Sequence, residues 1–186
     1  MENSRRRRKA APTKANRDVL QAVVRAFGDR LHFKANSAEI RSLYESVQAW
    51  PPFPDTMRAL RELQKRFKLV VISNIDDNLF AEPRKHLGVE FDSVITAEQA
   101  RSYKPSVNNF QIALSTLALS PDRLLHAAQS IYHDVVPARS LGISTVWVKR
   151  KSARPGIGAV RASAALPPKS EPTWRFPILP ASPQQP

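Results

Sequence analysis

The chain has 186 residues, no cysteine and a formal net charge of +13, and 42% of its residues are hydrophobic. This length is enough for one domain with a hydrophobic core, plus tails. The lack of cysteine excludes disulfide bonds and thiolate chemistry. No apolar run approaches the roughly 20 residues of a membrane span, and no apolar segment follows the basic N-terminus. Neither a transmembrane helix nor a secretory signal is therefore predicted.

The positive charge lies mainly at the two ends of the chain. Residues 1–17 hold seven Lys or Arg against one acid, residues 151–186 hold five against one, and residues 18–150 hold seventeen against fourteen. A fold that binds nucleic acid more often carries a basic face on its folded body. We therefore expect a cytoplasmic protein with no nucleic-acid partner, although the Arg5–Lys9 run also fits a nuclear localisation signal or an RNA-contacting arm.

Composition divides the chain into four segments. Residues 1–16 lack hydrophobic periodicity and are predicted to be a disordered basic tail. Residues 17–50 show two helical stripes, the second opened by a capping-box pattern that begins at Asn36. Residues 51–150 alternate short apolar runs with helical stripes. Residues 151–186 hold eight of the sixteen prolines, which disfavour long helices and central strands, so a wrapping or disordered tail is predicted.

The alternation within residues 51–150 predicts a parallel α/β sheet. Short apolar runs at 68–72, 92–95, 124–128 and 144–148 are typical of buried parallel strands, and helical stripes separate them. We expect the four strands to form one mostly parallel sheet.

Polar residues follow three of these strands. Ser73 and Asn74 come directly after the first strand, Lys104 lies in a loop after the second, and Asp134 lies just beyond the third. Each one alone is explained by a helix cap or an exposed loop. Because ligands bind at the carboxyl ends of parallel strands, the set favours one site at one edge of the sheet.

Three histidines accompany these residues. His86, His126 and His133 are not placed at metal-ligand spacing. His126 is predicted to be satisfied by the backbone at a strand end, and His133 to lie at the mouth of the pocket.

Three stretches of the chain, taken in order, carry a family resemblance. They are a strand followed by Ser-Asn, then Thr-Ala-Glu…Tyr-Lys-Pro, and then His-Ala-Ala-Gln-Ser-Ile-Tyr-His-Asp-Val-Val-Pro-Ala-Arg. Together they resemble the haloacid dehalogenase superfamily. Within it, the chain is most similar to the type II 2-haloacid dehalogenases, over about residues 18–150. The resemblance implies an α/β Rossmannoid parallel sheet with a helical cap, of which residues 17–50 match only the later helices. It implies hydrolysis of the carbon–halide bond of a 2-haloacid, or of a related small carboxylic acid substrate, through a covalent ester and without a cofactor. A homodimer is a possible assembly.

The resemblance also gives four residues a catalytic role. It makes Ser73 and Asn74 the hydrogen-bond donors to the nucleophile and the substrate carboxylate. Lys104 would hold the carboxylates charged and in place. Asp134 would orient the lysine and the hydrolytic water.

The resemblance also bears on the substrate pocket and on metal binding. Phosphatases of the superfamily hold magnesium with the two acids of Gly-Asp-x-x-x-Asp, and Ser130 stands where the first acid would be. One carboxylate makes a poor magnesium site, which favours the metal-free dehalogenase branch. Dehalogenases line the pocket here with Ser and Asn, where this chain has Gln129 and Ile131. Gln129, Ser130 and His133 are the predicted substrate-pocket residues.

The family's first strand, which ends in the nucleophilic Asp before a Gly-Thr turn, has no counterpart in this sequence. None of the acids before Trp50 follows a strand-forming apolar run; they are Glu2, Asp18, Asp29, Glu39 and Glu45. In the family that strand lies in the middle of the sheet, between the strands ending near Ser73 and Gln129. We expect a shortened chain, inactive as it stands, rather than a diverged protein with a closed-up sheet.

Two other functions stay open. One is a catalytically dead relative that acts as a binding module. The other is a nucleic-acid-associated protein with a basic tail.

Overall fold

The computed structural model describes residues 15–149 and the backbone of residues 174–177. The predicted disorder of the basic N-terminal tail and of most of the Pro-rich tail concerns residues outside these ranges. None of the described helices is long and apolar enough to cross a membrane.

The helical segment consists of two packed helices, α1 (Asn16–Leu31) and α2 (Ser37–Ser46), followed by a short 3-10 turn at Val47–Ala49. In the last turn of α1, a Cβ on Gly28 would lie 2.7 Å from the Phe33 carbonyl oxygen, so glycine is required there. Helix α2 begins with the predicted capping box. The Asn36 side chain accepts from the N–H groups of Ala38 and Glu39, and the Glu39 carboxylate accepts from the Asn36 N–H.

The α/β body follows in chain order. Its elements are α3 (Thr56–Gln64), β1 (Val70–Ser73), α4 (Asp77–Lys85), β2 (Ser93–Thr96), α5 (Ala97–Ala100), α6 (Asn108–Leu117), β3 (Leu125–Ala128), α7 (Val136–Ser140), β4 (Ser144–Lys149) and β5 (Trp174–Pro177). A 3-10 turn at Pro121–Arg123 precedes β3, and a π-helical turn at Ile131–Val135 follows it. The four strands predicted from the apolar runs are confirmed, with ends that move by one or two residues.

The strands form two separate sheets, so the prediction of one sheet is wrong. Strand β1 pairs with β2, and β4 lies between β3 and β5; all pairs are parallel. The break falls between β1 and β3, where the sequence analysis placed the absent central strand. Among the described residues no strand lies there to supply hydrogen-bond ladders to both edges. The sequence analysis did not predict β5, which occupies a sheet edge, the position that tolerates a proline such as Pro177.

Each sheet has its own buried cluster. One consists of Ile95, Ala100 and Ala113, and the other of Phe110, Ala138 and Ile143. Helix α6 contributes to both, through Ala113 and Phe110, and Ile72 of β1 also packs against both. Helix α6 and Ile72 are therefore the apolar connection between the two sheets.

Candidate active site

Lys104 lies in the loop between α5 and α6, and its ammonium group reaches the break between the sheets. The Nζ atom donates to the Ile72 carbonyl oxygen at 2.8 Å and to Asp134 Oδ1 at 2.6 Å. The two side chains are only 11% and 9% exposed, so solvent screens this ion pair far less than a surface pair. The lysine thus links the carboxyl end of β1 with the turn that follows β3.

Asn74 holds the Lys104 loop through both ends of its amide. Its Nδ2 donates to the Lys104 carbonyl oxygen at 3.0 Å, and the Lys104 N–H donates to Asn74 Oδ1 at 2.6 Å. Such a two-way contact fixes the loop backbone from which the lysine side chain extends. In this arrangement Asn74 acts on the backbone of Lys104.

Asp134 lies inside the π-helical turn after β3. The turn begins at Ile131 and is capped by Ser130, whose side chain accepts from the His133 N–H, so Asp134 is not the cap of a helix. This extra turn places the Asp134 carboxylate, which is buried, against Lys104. Burial raises the pKa of Asp134, but the hydrogen bond from His126 and the charge of Lys104 outweigh it and hold the pKa below the ordinary value.

His126 is a member of the same cluster, and the prediction that the backbone satisfies it is wrong. Its Nε2 lies 3.0 Å from Asp134 Oδ1, and the ring meets Phe110 edge-on at a centroid distance of 5.0 Å. The sequence does contain a signal for this contact. A titratable ring in an otherwise apolar parallel strand needs a polar partner when it is buried.

The remaining predicted site residues lie around this cluster. Ser73 ends β1, beside Thr96 of β2, and no hydrogen bond in the described part of the chain joins its hydroxyl to Lys104 or Asp134. Ser130 and His133 contact each other, with 3.0 Å between Oγ and Nδ1. The backbone carbonyl oxygen of Gln129 accepts from the Trp147 indole N–H at 3.0 Å. The pocket role of the Gln129 side chain stays a prediction.

The donor set at this site does not fit a hard divalent cation. Asp134 is a single carboxylate, and its Oδ1 already contacts Lys104 and His126. Within residues 15–149, no three acidic or histidine side chains are grouped as metal ligands. Magnesium prefers several charged oxygens, which these residues do not supply.

The helical segment is attached directly beside the site. The N–H groups of Asn16 and Arg17, at the start of α1, lie 2.6 and 3.4 Å from Asp76 Oδ2, and the Asn16 side chain donates to the Asn74 carbonyl oxygen at 2.7 Å. A carboxylate at a helix N-terminus interacts favourably with the helix dipole. Nearby, burial together with the charges of Asp76 and Asp18 raises the pKa of Tyr103. Helix α1 is thereby fixed against the end of β1.

Comparison with known proteins identifies the family of this chain. The family model of haloacid dehalogenase-like hydrolases matches residues 3–142. The chain belongs to this family. The haloacid dehalogenase-like fold explains both the parallel strands and the position of Lys104 and Asp134 at their carboxyl ends.

Individual relatives of this dehalogenase-like chain include dehalogenases and phosphatases. The (S)-2-haloacid dehalogenase H-109 of Pseudomonas putida is 29% identical over 126 residues, which are 66% of this chain and 56% of the relative. A glyceraldehyde 3-phosphate phosphatase of Methanothermobacter thermautotrophicus is 31% identical over 100 residues, which are 52% of this chain and 44% of the relative. The chain thus spans about half the length of these curated relatives.

Solved structures show the same fold. The L-2-haloacid dehalogenase of Xanthobacter autotrophicus, with chloropropionic acid covalently bound, superposes with a TM-score of 0.68 at 20% identity. The match covers 76% of this chain and 58% of that enzyme. The fold of this chain is therefore the Rossmannoid fold of the haloacid dehalogenases.

Proposed function

We propose that this chain builds the lysine–aspartate part of a 2-haloacid dehalogenase type of site, which hydrolyses the carbon–halide bond of a small carboxylic acid. The observation that carries the proposal is the contact of 2.6 Å between Lys104 Nζ and Asp134 Oδ1 at the end of β1. A desolvated ammonium group attracts carboxylates more strongly than an exposed one. It is therefore suited both to a carboxylate substrate and to a carboxylate nucleophile.

The reaction needs a second carboxylate. A nucleophilic Asp displaces the halide from carbon with formation of an ester, the halide leaves with the bonding electron pair, and water then hydrolyses the ester. The carboxylate bonded to Lys104 among the described residues is that of Asp134. The Asp134 Oδ1 atom already contacts the side-chain nitrogens of Lys104 and His126, which lowers the nucleophilicity of the carboxylate. We propose that Asp134 orients the lysine and the water, and that the chain as it stands does not turn over.

The break between β1 and β3 supports this division of roles. The carboxyl ends of both strands lie towards Lys104 and Asp134, and β1 and β3 are not hydrogen-bonded to each other. A parallel strand placed between them would end beside Lys104, where an Asp could accept from the ammonium group. The nucleophile of the proposed site would belong to such a strand.

Two observations favour the dehalogenase branch over the phosphatase branch. Ser130 stands where the phosphatases carry an acid, and its hydroxyl contacts His133. Asp134 Oδ1 contacts the side-chain nitrogens of Lys104 and His126, so one oxygen of this single carboxylate is already engaged. We therefore propose a reaction that needs no metal.

A second candidate is a binding module without turnover. It uses the same feature, because the Lys104 ammonium group binds a carboxylate anion whether or not a nucleophile is present. The two candidates predict the same ligand and differ in chemistry.

The test uses the full chain and 2-chloropropionate. We expect no chloride release above the buffer control, because the groups described here position and neutralise charge but do not displace the halide. We expect saturable binding of 2-chloropropionate, seen as changes in the amide NMR signals near residue 104, and loss of that binding in Lys104→Met.

The matched variant for this test is Asp134→Asn. Chloride release by the wild-type chain that Asp134→Asn abolishes would contradict the proposed role of Asp134 and would make it the nucleophile. Release of inorganic phosphate from p-nitrophenyl phosphate, dependent on added Mg²⁺, would move the chain to the phosphatase branch. Unchanged binding in Lys104→Met would contradict both candidate functions.

A further inference from the structure

His126 occupies a position that the proposed reaction does not require. It is the second residue of β3, and its side chain is 12% exposed. Its Nε2 lies 3.0 Å from Asp134 Oδ1, the same oxygen that Lys104 contacts at 2.6 Å. One carboxylate oxygen therefore contacts two nitrogen atoms, one from β3 and one from the loop between α5 and α6.

The chemistry of this contact determines which nitrogen carries the proton. An ionised carboxylate only accepts hydrogen bonds, so the Nε2 atom that faces it has to carry a hydrogen. The pKa of Asp134 is held below its ordinary value, which keeps the carboxylate ionised. A neutral His126 is then the Nε2–H tautomer.

We propose that His126 is a positioning residue of this site: as the Nε2–H tautomer it donates to Asp134 and fixes the carboxylate oxygen that Lys104 contacts. This inference deepens the proposed function and rests on it for the identity of the site. A carboxylate held by Lys104 alone can rotate about its last torsion angle. Two donors from different directions on one oxygen remove that freedom.

The surroundings of the ring keep it in the donating orientation. Phe110, which is fully buried in α6, meets the ring at an interplanar angle of 88°. On the neighbouring strand β4, the residue in register is Thr145, which is also fully buried. Both of these neighbours are uncharged. The charged groups of the cluster that His126 joins are Asp134 and, across the shared oxygen, Lys104.

This role differs from simple packing in a way that can be measured. A histidine that only fills space exchanges between its two tautomers, of which Nε2–H is the more populated in water, and its replacement by another ring leaves Asp134 unchanged. A histidine that donates to Asp134 stabilises the ionised carboxylate. Its loss therefore raises the pKa of Asp134 and loosens the hold of Asp134 on Lys104.

The first experiment measures the wild-type chain and uses a variant only to assign the signal. Long-range ¹H–¹⁵N correlation spectra of the full ¹⁵N-labelled chain report the tautomer of each imidazole at neutral pH, and His126→Gln assigns the signal. We expect His126 to be the Nε2–H tautomer. A ring in the Nδ1–H form, or one that averages between the two tautomers, would overturn the proposal.

The second experiment compares His126→Phe with His126→Gln. The first variant keeps an aromatic ring against Phe110 but removes the donor, whereas the second keeps an N–H donor on a shorter group. We expect the pKa of Asp134, followed by its ¹³C carboxyl signal, to rise in His126→Phe and to rise less in His126→Gln. We also expect acylation of the Lys104 amine to become faster in His126→Phe, by about threefold or more, the size of one lost net hydrogen bond.

The outcomes separate this inference from the proposed function. A folded His126→Phe chain with an unchanged Asp134 pKa and unchanged Lys104 labelling would overturn the positioning role. If His126→Phe does not fold, the tautomer of the wild-type chain decides the question alone. Chloride release and 2-chloropropionate binding test the proposed function, and neither enters the tautomer measurement.

Discussion

The two sheets of this protein differ in strand number, but in each the strand that borders the break is less buried than the strand beside it. No residue of β1 or of β3 is buried, whereas β2 contains the buried Ile95 and Thr96, and β4 contains the fully buried Thr145. The sheet containing β1 carries Asn74 and Lys104 next to it, and the other sheet carries His126 and Asp134. The comparison shows that the proposed site is formed across the break and belongs to neither sheet alone.

The two sheets are joined by contacts of different kinds. The apolar connection runs through helix α6 and Ile72. The polar connection runs through Lys104, which bonds to Ile72 in β1 and to Asp134 in the turn that follows β3. Apolar contacts are non-directional and stabilise the assembly, whereas hydrogen bonds fix relative position. We therefore expect three changes to alter the unfolding free energy by different amounts: filling the break, removing the apolar connection and removing the polar connection.

The largest effect is expected from filling the break. An apolar strand that ends in Asp-x-x-Gly-Thr, fused ahead of residue 18 together with helices designed after the family's cap domain, should pair with both β1 and β3. The strand buries apolar surface on both faces of the sheet, and we expect a gain in unfolding free energy of about 5 kcal/mol. The measurement is urea denaturation of the fusion and of the original chain.

The matched control for the fusion changes only its introduced Asp to Asn. This control should keep the added stability but lose the chloride release that the Asp version gains. A fusion that melts at the same temperature as the 186-residue chain would show that the break does not take a strand. The protein would then be a diverged fold, and the binding-module function would become the better proposal.

The next largest effect is expected from the apolar connection. Phe110→Ala removes a side chain that is fully buried between α6 and the sheet of β3, and it should cost about 4 kcal/mol of unfolding free energy. Leu125→Ala, in β3 but half-exposed, is the control and should cost about 1 kcal/mol. Amide hydrogen exchange should show loss of protection in β3 and β4 before β1 and β2. Equal costs for the two variants would contradict this role of Phe110.

The smallest of the three effects is expected from the polar connection. The pKa of Asp134 is lower in the folded chain than in the unfolded chain, so the unfolded chain binds more protons as the solution is acidified. This contribution to stability is present above about pH 4 and is lost as the pH falls through the lowered folded value. Asp134→Asn should remove that part of the acid sensitivity, measured by urea denaturation from neutral to acidic pH.

Lys104→Met gives the companion measurement at neutral pH. It leaves the Asp134 carboxylate buried without its cation and should cost about 2 kcal/mol. It should also reduce the loss of stability on acidification, because Lys104 no longer lowers the Asp134 pKa and the folded and unfolded chains then bind protons at this group more equally. An acid profile identical to wild type in both variants would show that the pair does not contribute to stability.

Much of the fold follows from local sequence patterns. The strands β1 to β4 are short apolar runs, and α2 begins at its capping box, because hydrogen bonds and burial along one segment depend on residues close in sequence. The polar residues after the strands also follow from the sequence, since the ends of parallel strands meet at one edge. Strand β5 was missed because the proline-rich sequence around it masks the pattern, and only its pairing with β4 makes it a strand.

The sequence by itself determined the family, the strand order along the chain and the residues Asn74, Lys104 and Asp134 as candidates for one site. Only the tertiary structure decided that the strands form two sheets, that Asn74 holds the Lys104 backbone, and that His126 contacts Asp134. The physical reason is the range of the interactions. Strand and helix patterns depend on neighbours along the chain, whereas the partner of a buried polar atom is whichever group the packed chain brings within about 3 Å.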